Sequence, residues 1–303
     1  MSLLVTGWVA IDDIETPFAK VENSLGGSAT CAALGAALFT PVRLLAVVGE
    51  DFPDEYRKQL DRPGIDLAGL TTVPGKTSRW GAKYHYDMNT RETWYPELGV
   101  SVEHLPDPPP QWADSTGLCL AAGHPAYQRH LLEAATHSRV SLVDTIKMFI
   151  DENLAELRET MAAADFVVLN EVEARQLANT PSIARAARTL LREGVERVII
   201  KLGEYGAAYA SADDYFVAPG YPLEEVVDPT CAGDAFAGGF MGYLDTVDSV
   251  STTEIRRAVI YGSTVASFCV EGFGPNRLLT LTREEVELRY REFRMLTHFE
   301  VGE

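Results

Sequence analysis

Asp234 closes the run DPTCAGD, Asp228 to Asp234, where a turn of small residues leads straight into AFAGGFMGYL. A helix that starts there offers backbone N–H groups without intrahelical partners and the positive end of its dipole, together an anion site. A carboxylate in the first turn can simply complement that dipole, with Gly238 and Gly239 allowing close packing. That account leaves the small residues Cys231, Ala232 and Gly233 and the Asp228-Pro229 turn unexplained. A phosphate with a base beside it needs all of them. Two more places carry residue types suited to the same chemistry. GWVAIDD, Gly7 to Asp13, puts Asp12 at the C-terminal end of an expected first strand, the edge where open α/β sheets bind ligands, although a turn or cap Asp fits as well. In GGSATCAALGAAL, the pair Gly26 and Gly27 opens a helix of small residues, so backbone can approach a ligand or a neighbouring helix closely.

The elements that must position these groups alternate between β-rich runs and amphipathic helices, the pattern of a largely parallel, doubly wound α/β sheet covered on both faces. Expected strands are Leu3–Val9, Val42–Val48, Gly117–Ala121, Val140–Asp144, Phe166–Leu169, Val198–Lys201, Ala207–Ala210 and Tyr215–Val217. Helices are expected from Pro181 at an N1-like position, over Thr253 to Glu271, and after a capping box of Thr282 and Glu285. Two segments, 14–25 and 71–98, break the alternation. In the second, Trp80, Ala82, Tyr84 and Tyr86 alternate with polar residues at strand spacing, Met88 to Thr90 suit a turn, and Glu92 to Tyr95 a returning strand. A small inserted sheet explains both segments; an edge extension of the main sheet fits the pattern equally well. The whole chain, 1–303, reads as a single domain carrying that insertion.

With 44 Asp and Glu against 26 Lys and Arg, the formal charge of −18 argues against a nucleic-acid partner, which needs a basic surface. A phosphorylated ligand would then need local positive potential from helix amides, a few cations and a metal. The four cysteines, Cys31, Cys119, Cys231 and Cys269, show neither a disulfide framework nor zinc spacing, and a reducing cytoplasm is expected. Leu3 to Ile11 is too short to span a membrane and meets Asp12 and Asp13 at once, so no membrane partner is expected.

Taken in order, Asp12, Gly26 with Gly27, Asn170 with Glu173, the KLGEYG turn from Lys201 to Gly206, and DPTCAGD make the chain resemble the ribokinase, or PfkB-type, family of carbohydrate kinases over nearly its whole length. The family pattern is a strand-end Asp, a Gly-Gly helix start, NxxE, a TLGxxG-like turn and DTxGAGD. The resemblance implies an ATP-dependent kinase that phosphorylates a hydroxyl, expected to be a primary one, of a free sugar or nucleoside. It makes Asp234 the catalytic base, and the amides of Cys231, Ala232, Gly233 and Asp234 the anion hole. Asp12, Gly26, Gly27 and Cys31 then hold the acceptor, and Lys201, Gly203 and Gly206 line the nucleotide side. Asn170 and Glu173 would hold Mg²⁺ through water, although Asn170 as a helix cap with Glu173 at N3 fits the same spacing, and the glycines at 203 and 206 also suit a plain hairpin. The inserted sheet becomes a lid whose aromatic residues stack on an acceptor, fill the lid, or form a homodimer interface. Monovalent-cation activation is common in the family, and Asp228 matches part of that site.

Three departures from the pattern stand out. Cys231 replaces the first Gly of GAGD, where a backbone-amide hole tolerates a small side chain. Cys31 falls where sugar kinases of the family carry a substrate-binding Asn, which opens the acceptor to question. Ser28 stands where ribokinases and several phosphosugar kinases carry Lys, which argues against an already phosphorylated acceptor. The rival from another class is a catalytically idle sensor using the same cleft. An oxidoreductase is disfavoured because no GxGxxG follows the first strand.

Overall fold

The computed structural model describes residues 2–298. In chain order the strands are β1 (Leu3–Thr6), β2 (Ala10–Glu15), β3 (Lys20–Gly26), β4 (Val42–Gly49), β5 (Ile65–Asp66), β6 (Leu70–Val73), β7 (Ser78–Tyr84), β8 (Arg91–Glu97), β9 (Gly117–Leu120), β10 (Val140–Asp144), β11 (Phe166–Asn170), β12 (Val198–Lys201), β13 (Ala207–Ala210) and β14 (Tyr215–Ala218). The main sheet runs β14-β13-β12-β11-β10-β9-β1-β4-β5, with β6 also on β4. From β12 across to β5 and β6 every pairing is parallel, and β13 and β14 join as an antiparallel edge. The Leu- and Val-rich runs of β1, β9 and β10 are buried on both faces, as a sheet sandwiched between helices requires. The chain leaves β1 for β4 on one side and returns to β9 on the other. Open α/β sheets bind ligands beyond the C-terminal strand ends at such a reversal.

A second sheet, ordered β3-β2-β7-β8, stands apart from the first and takes up most of the two irregular segments, while Thr71 to Val73 belong to β6 of the main sheet. Its boundaries differ from the expected ones. The expected first strand Leu3–Val9 stops at Thr6 because Gly7 takes φ +143°, and a Cβ there would meet the Ser28 hydroxyl at 2.7 Å. Ser28 accepts from the Trp8 amide at 3.1 Å and donates to the Ala122 carbonyl at 3.2 Å, which pins the turn. The chain then restarts as β2 in the other sheet. Asp12 therefore lies within the first strand of the insertion, not at the end of a main-sheet strand. Tyr84 is buried at 2 % exposure, while Tyr86 lies past the end of β7 at 82 % and does not join an inward aromatic face.

Of the expected helices, that near Pro181 runs Ile183–Arg192 with Ser182 as its cap, which leaves the proline outside the first turn. The capping box of Thr282 and Glu285 opens Arg283–Thr297, and the long core helix runs Thr252–Cys269. The first helix, Ser28–Ala36, is buried along its whole length against the glycine-rich helix Ala232–Asp245. Glycines set that contact. A Cβ on Gly238 would stand 2.1 Å from the Ala32 carbonyl oxygen, and one on Gly242 2.8 Å from the Ala36 Cα. Helix axes brought so close place the two N-termini side by side. Cys31 and Cys231 are joined there as a disulfide with Cα atoms 5.7 Å apart, against the expectation of no disulfide. Their separation of 200 residues gives no local spacing to read. Cys119 and Cys269 are free and buried. Among the described residues no helix is long and apolar enough to cross a membrane.

Candidate active site

Cys231 caps the glycine-rich helix, and Ala232, Gly233 and Asp234 form its first turn. The Ala232 amide is turned toward the Pro229 carbonyl at 3.2 Å, so of the amides expected to form an anion hole this one is already engaged. Gly233 and Asp234 hold the positions at which a helix start lacks intrahelical acceptors for its N–H groups. The loop before them is braced by buried Asp228. Its carboxylate accepts from the Thr230 amide at 2.9 Å, the Thr230 hydroxyl at 2.6 Å and the Gly274 amide at 2.8 Å.

Lys201, the last residue of β12, reaches under this turn. Its Nζ lies 3.0 Å from Oδ2 of Asp144, the last residue of β10, and a Cβ on Gly233 would be only 2.9 Å from that Nζ. Gly233 thus leaves room for an ammonium beside the helix start. Burial pulls the Lys201 ammonium down, but the carboxylates of Asp144, Asp234 and Glu173 outweigh it and hold the group above its ordinary value. Asp234 itself is pushed up to about 7 by burial and by the Asp144 charge, against the opposing pull of Lys201 and Arg91. A carboxylate poised there can accept a proton near neutral pH.

Asp12 faces the same region from β2. It is 2 % exposed, and its Oδ1 has no hydrogen-bond partner. Burial raises it to about 8; the Gly27 amide opposes the rise, and the charges of Asp228, Asp234 and Asp13 add to it. The two glycines have separate jobs. A Cβ on Gly26 would fall 1.9 Å from Asp12 Oδ2, so that glycine makes room for the carboxylate, whereas Gly27 takes φ +94° with its Cβ direction blocked by the Trp8 carbonyl at 2.3 Å. A buried acceptor oxygen without a partner is uncommon in a folded protein.

Asn170 and Glu173 form a capping box on Glu171–Leu177, with the Glu173 amide 2.9 Å from Asn170 Oδ1 and the Asn170 amide 2.8 Å from Glu173 Oε2. The cap alternative therefore describes their local structure. Burial and the Asp144 charge push the Glu173 carboxyl up to about 7, and the Lys201 charge opposes the rise. Among the described residues no three His, Cys, Asp or Glu side chains could hold a metal ion together. One buried carboxylate fits an ion such as Mg²⁺, which keeps most of its waters and binds phosphate oxygens. Gly203 at φ +60° and Gly206 at φ +96° shape the antiparallel turn between β12 and β13, so here too the hairpin alternative describes the backbone.

The inserted sheet reaches this site in three places. The Tyr84 hydroxyl lies 3.2 Å from the Thr230 hydroxyl and, with the Thr230 proton taken by Asp228, donates to it; a Cβ on Gly203 would touch Asn89 of the β7-β8 turn at 3.5 Å; and the Arg91 charge bears on Asp234, Glu173 and Tyr84. Sequence reasoning missed Arg91 and Asp144. Asp144 ends a parallel strand at the ligand edge, a signal that was there to read. Nothing local to Arg91 points to a site 143 residues away in sequence at Asp234, so only the fold reveals it. Beyond β1, β9 and β10, Trp8 and Phe149 lie with ring centres 6.1 Å apart, and His124 meets Phe149 at 5.6 Å.

Comparison with known proteins agrees with this geometry. The model of the pfkB family carbohydrate kinases matches residues 11–281. A cytidine kinase of Thermococcus kodakarensis is 33% identical over 250 residues, 80% of this chain and 88% of its own. Among solved structures, a Burkholderia thailandensis nucleoside kinase in complex with inosine aligns with TM-score 0.76 at 21% identity, over 99% of this chain and 100% of its own. A ribokinase-like protein from E. coli in complex with ATP and Mg²⁺, described as a putative ribokinase II, aligns with TM-score 0.76 at 22% identity, over 96% and 99%. The fold is ribokinase-like. On the match across residues 11–281, the chain belongs to the pfkB family of carbohydrate kinases, phosphotransferases that act on hydroxyl groups.

Proposed function

We propose that this chain transfers the γ-phosphate of ATP to a primary hydroxyl of a free nucleoside, with Asp234 as the base. The observation that carries the reading is the grouping of Asp234, the helix start at Gly233 and the Lys201 ammonium in one place. In the reaction, the acceptor oxygen forms a bond to the γ-phosphorus as the bond to the β–γ bridging oxygen breaks, and the acceptor proton passes to Asp234. The Gly233 and Asp234 amides and the Lys201 ammonium lie where charge builds on the transferring group. Mg²⁺, when bound with the triphosphate, neutralises its oxygens and helps align it. Asp12 orients the acceptor through its unpaired oxygen, and Arg91 and Tyr84 bring the inserted sheet over the site to exclude water. A nucleoside is favoured over a free sugar by the cytidine kinase relative and by the accessible rings of Trp8 and His124, flat faces suited to a base and backed by buried Phe149.

The test is ADP release with ATP and Mg²⁺ across a panel of nucleosides and sugars. Strong turnover with nucleosides and none with sugars supports the reading; the reverse selects a sugar. Asp234→Asn should lower kcat by about 10²–10⁴-fold while ATP still binds, and an undiminished rate would remove Asp234 as the base. The idle-sensor reading requires binding without turnover on every acceptor. Pairing of two copies through the inserted sheet is part of the proposal, since Phe18 and Tyr86 lie exposed on it with rings 6.0 Å apart; light scattering reads the mass. Activation by a monovalent cation near Asp228 is read by exchanging Na⁺ for K⁺.

A further inference from the structure

Two of the three departures from the family pattern, Cys31 and Cys231, are one feature in space. They lie 200 residues apart in sequence, on the helix that follows the acceptor glycines and at the cap of the anion-hole helix, with Cα atoms 5.7 Å apart. That separation is within the range a disulfide bridges without moving backbone. The other two cysteines, Cys119 and Cys269, have no such partner. The helices carrying the pair cannot slide apart easily to separate the sulfurs, because Gly35, Gly238 and Gly242 hold them in backbone contact. A thiol pair held so close is set up to cycle between two covalent states.

We propose that Cys31 and Cys231 form a reversible disulfide site that controls acceptor binding, with small-molecule thiols and disulfides as its reactants. The proposal rests on the acceptor site described above. In the oxidising direction one protein thiolate attacks a small disulfide, R–S–S–R, to give a mixed disulfide and RSH. The second protein thiolate then attacks the protein sulfur of that mixed disulfide and expels the second RSH. Two protein thiols lose two electrons and two protons, and one small disulfide becomes two thiols. The reduced state is the one that binds acceptor. A free Cys31 thiol can donate and accept weakly at an acceptor hydroxyl, whereas the bridged sulfur has no proton to donate and is held toward Cys231. Both residues are buried, at 0% and 2% exposure, so exchange requires a local opening that lets the small disulfide reach a sulfur.

The full-length protein, treated with oxidised glutathione or with reduced dithiothreitol and freed of reagent, is denatured and alkylated with iodoacetamide, and its mass is measured. The oxidised sample should take up two carbamidomethyl groups and the reduced sample four, with a peptide map joining the segments around Cys31 and Cys231. Four groups in the oxidised sample, or a different joined pair, overturns the site. That readout needs no turnover, so it stands even if the kinase reading fails. With cytidine, inosine, ribose and fructose as acceptor probes, oxidation should raise the acceptor KM about fivefold, the ordinary worth of one hydrogen bond, and excess reduced dithiothreitol should restore it. Cys31→Ser and Cys231→Ser should each give a KM that no longer responds to oxidant. An equal KM in both states of the natural chain overturns the control, as does a response that survives in both variants. Absence of turnover with every probe in both states overturns the kinase reading and, with it, the control of acceptor binding.

Discussion

Asp12→Asn is expected to make this protein more stable and less able to bind acceptor. The Asp12 carboxyl rises from 3.8 in an unfolded chain to about 8 in the fold, chiefly through burial. Because the folded value is the higher one, the folded state holds a proton that the unfolded state releases between about pH 4 and pH 8. Stability from this group is complete below pH 4, declines as pH rises through that window, and is flat above pH 8. Every tenfold change in proton affinity is worth about 1.4 kcal/mol, so the rise from 3.8 to about 8 sets a ceiling of about 6 kcal/mol at pH 9 and about 4 kcal/mol at pH 7. Asparagine keeps the shape, retains an oxygen for the Gly27 amide and never ionises. Urea unfolding of both proteins at pH 4, 6, 7.5 and 9, with refolding checked at each, gives the comparison. The two should agree at pH 4, and the variant should lead by a margin that grows to pH 8. Parallel curves across the whole range, or a variant weaker throughout, would refute the claim that Asp12 is an uncompensated buried charge. Acceptor KM measured at pH 9, where Asp12 is ionised, should rise in the variant, since the site there loses the carboxylate partner for a hydroxyl.

Other expectations follow from the same site and its supports. The rate constant kcat should climb with pH and level off above about 7, because the ionised form of Asp234 accepts the proton and its folded value lies near 7; a flat profile from pH 5 to 9 contradicts this. Asp144→Asn removes the partner 3.0 Å from the Lys201 ammonium and should cut kcat about tenfold or more while acceptor KM changes little. Steady-state kinetics on both substrates reads the split. Gly238→Ala places a methyl group 2.1 Å from the Ala32 carbonyl oxygen and should cost about 1–3 kcal/mol or block folding, whereas a neutral result in thermal melts would show that the two helices can part.

Much of the fold was legible because burial on both faces forces apolar runs: β9, β10, β11, β12 and β13 fall within a residue of their expected limits. Asp12 shows where such reading stops. An unbroken run from Leu3 to Ile11 conceals a change of sheet, since the break depends on Gly7 meeting Ser28 and Ala122, residues remote in sequence. Asp234 could be placed at a helix start because its neighbours are small and local. The Asp144–Lys201 pair could not, since parallel strands two places apart in the sheet bring those residues together across 57 positions. The same holds for the two cysteines and for Arg91. Spacing rules see chemistry arranged along one element, and these groups are arranged across several.

The move of Asp12 into the inserted sheet has a consequence for wasteful hydrolysis. Its carboxylate and that of Asp234 belong to separate sheets, β2 and the body that carries the glycine-rich helix. In the proposed mechanism one grips the alcohol and the other strips its proton, so displacement of the smaller sheet would part them. A stray water molecule would then meet an incomplete apparatus, and nucleotide would be spared until the intended molecule arrived.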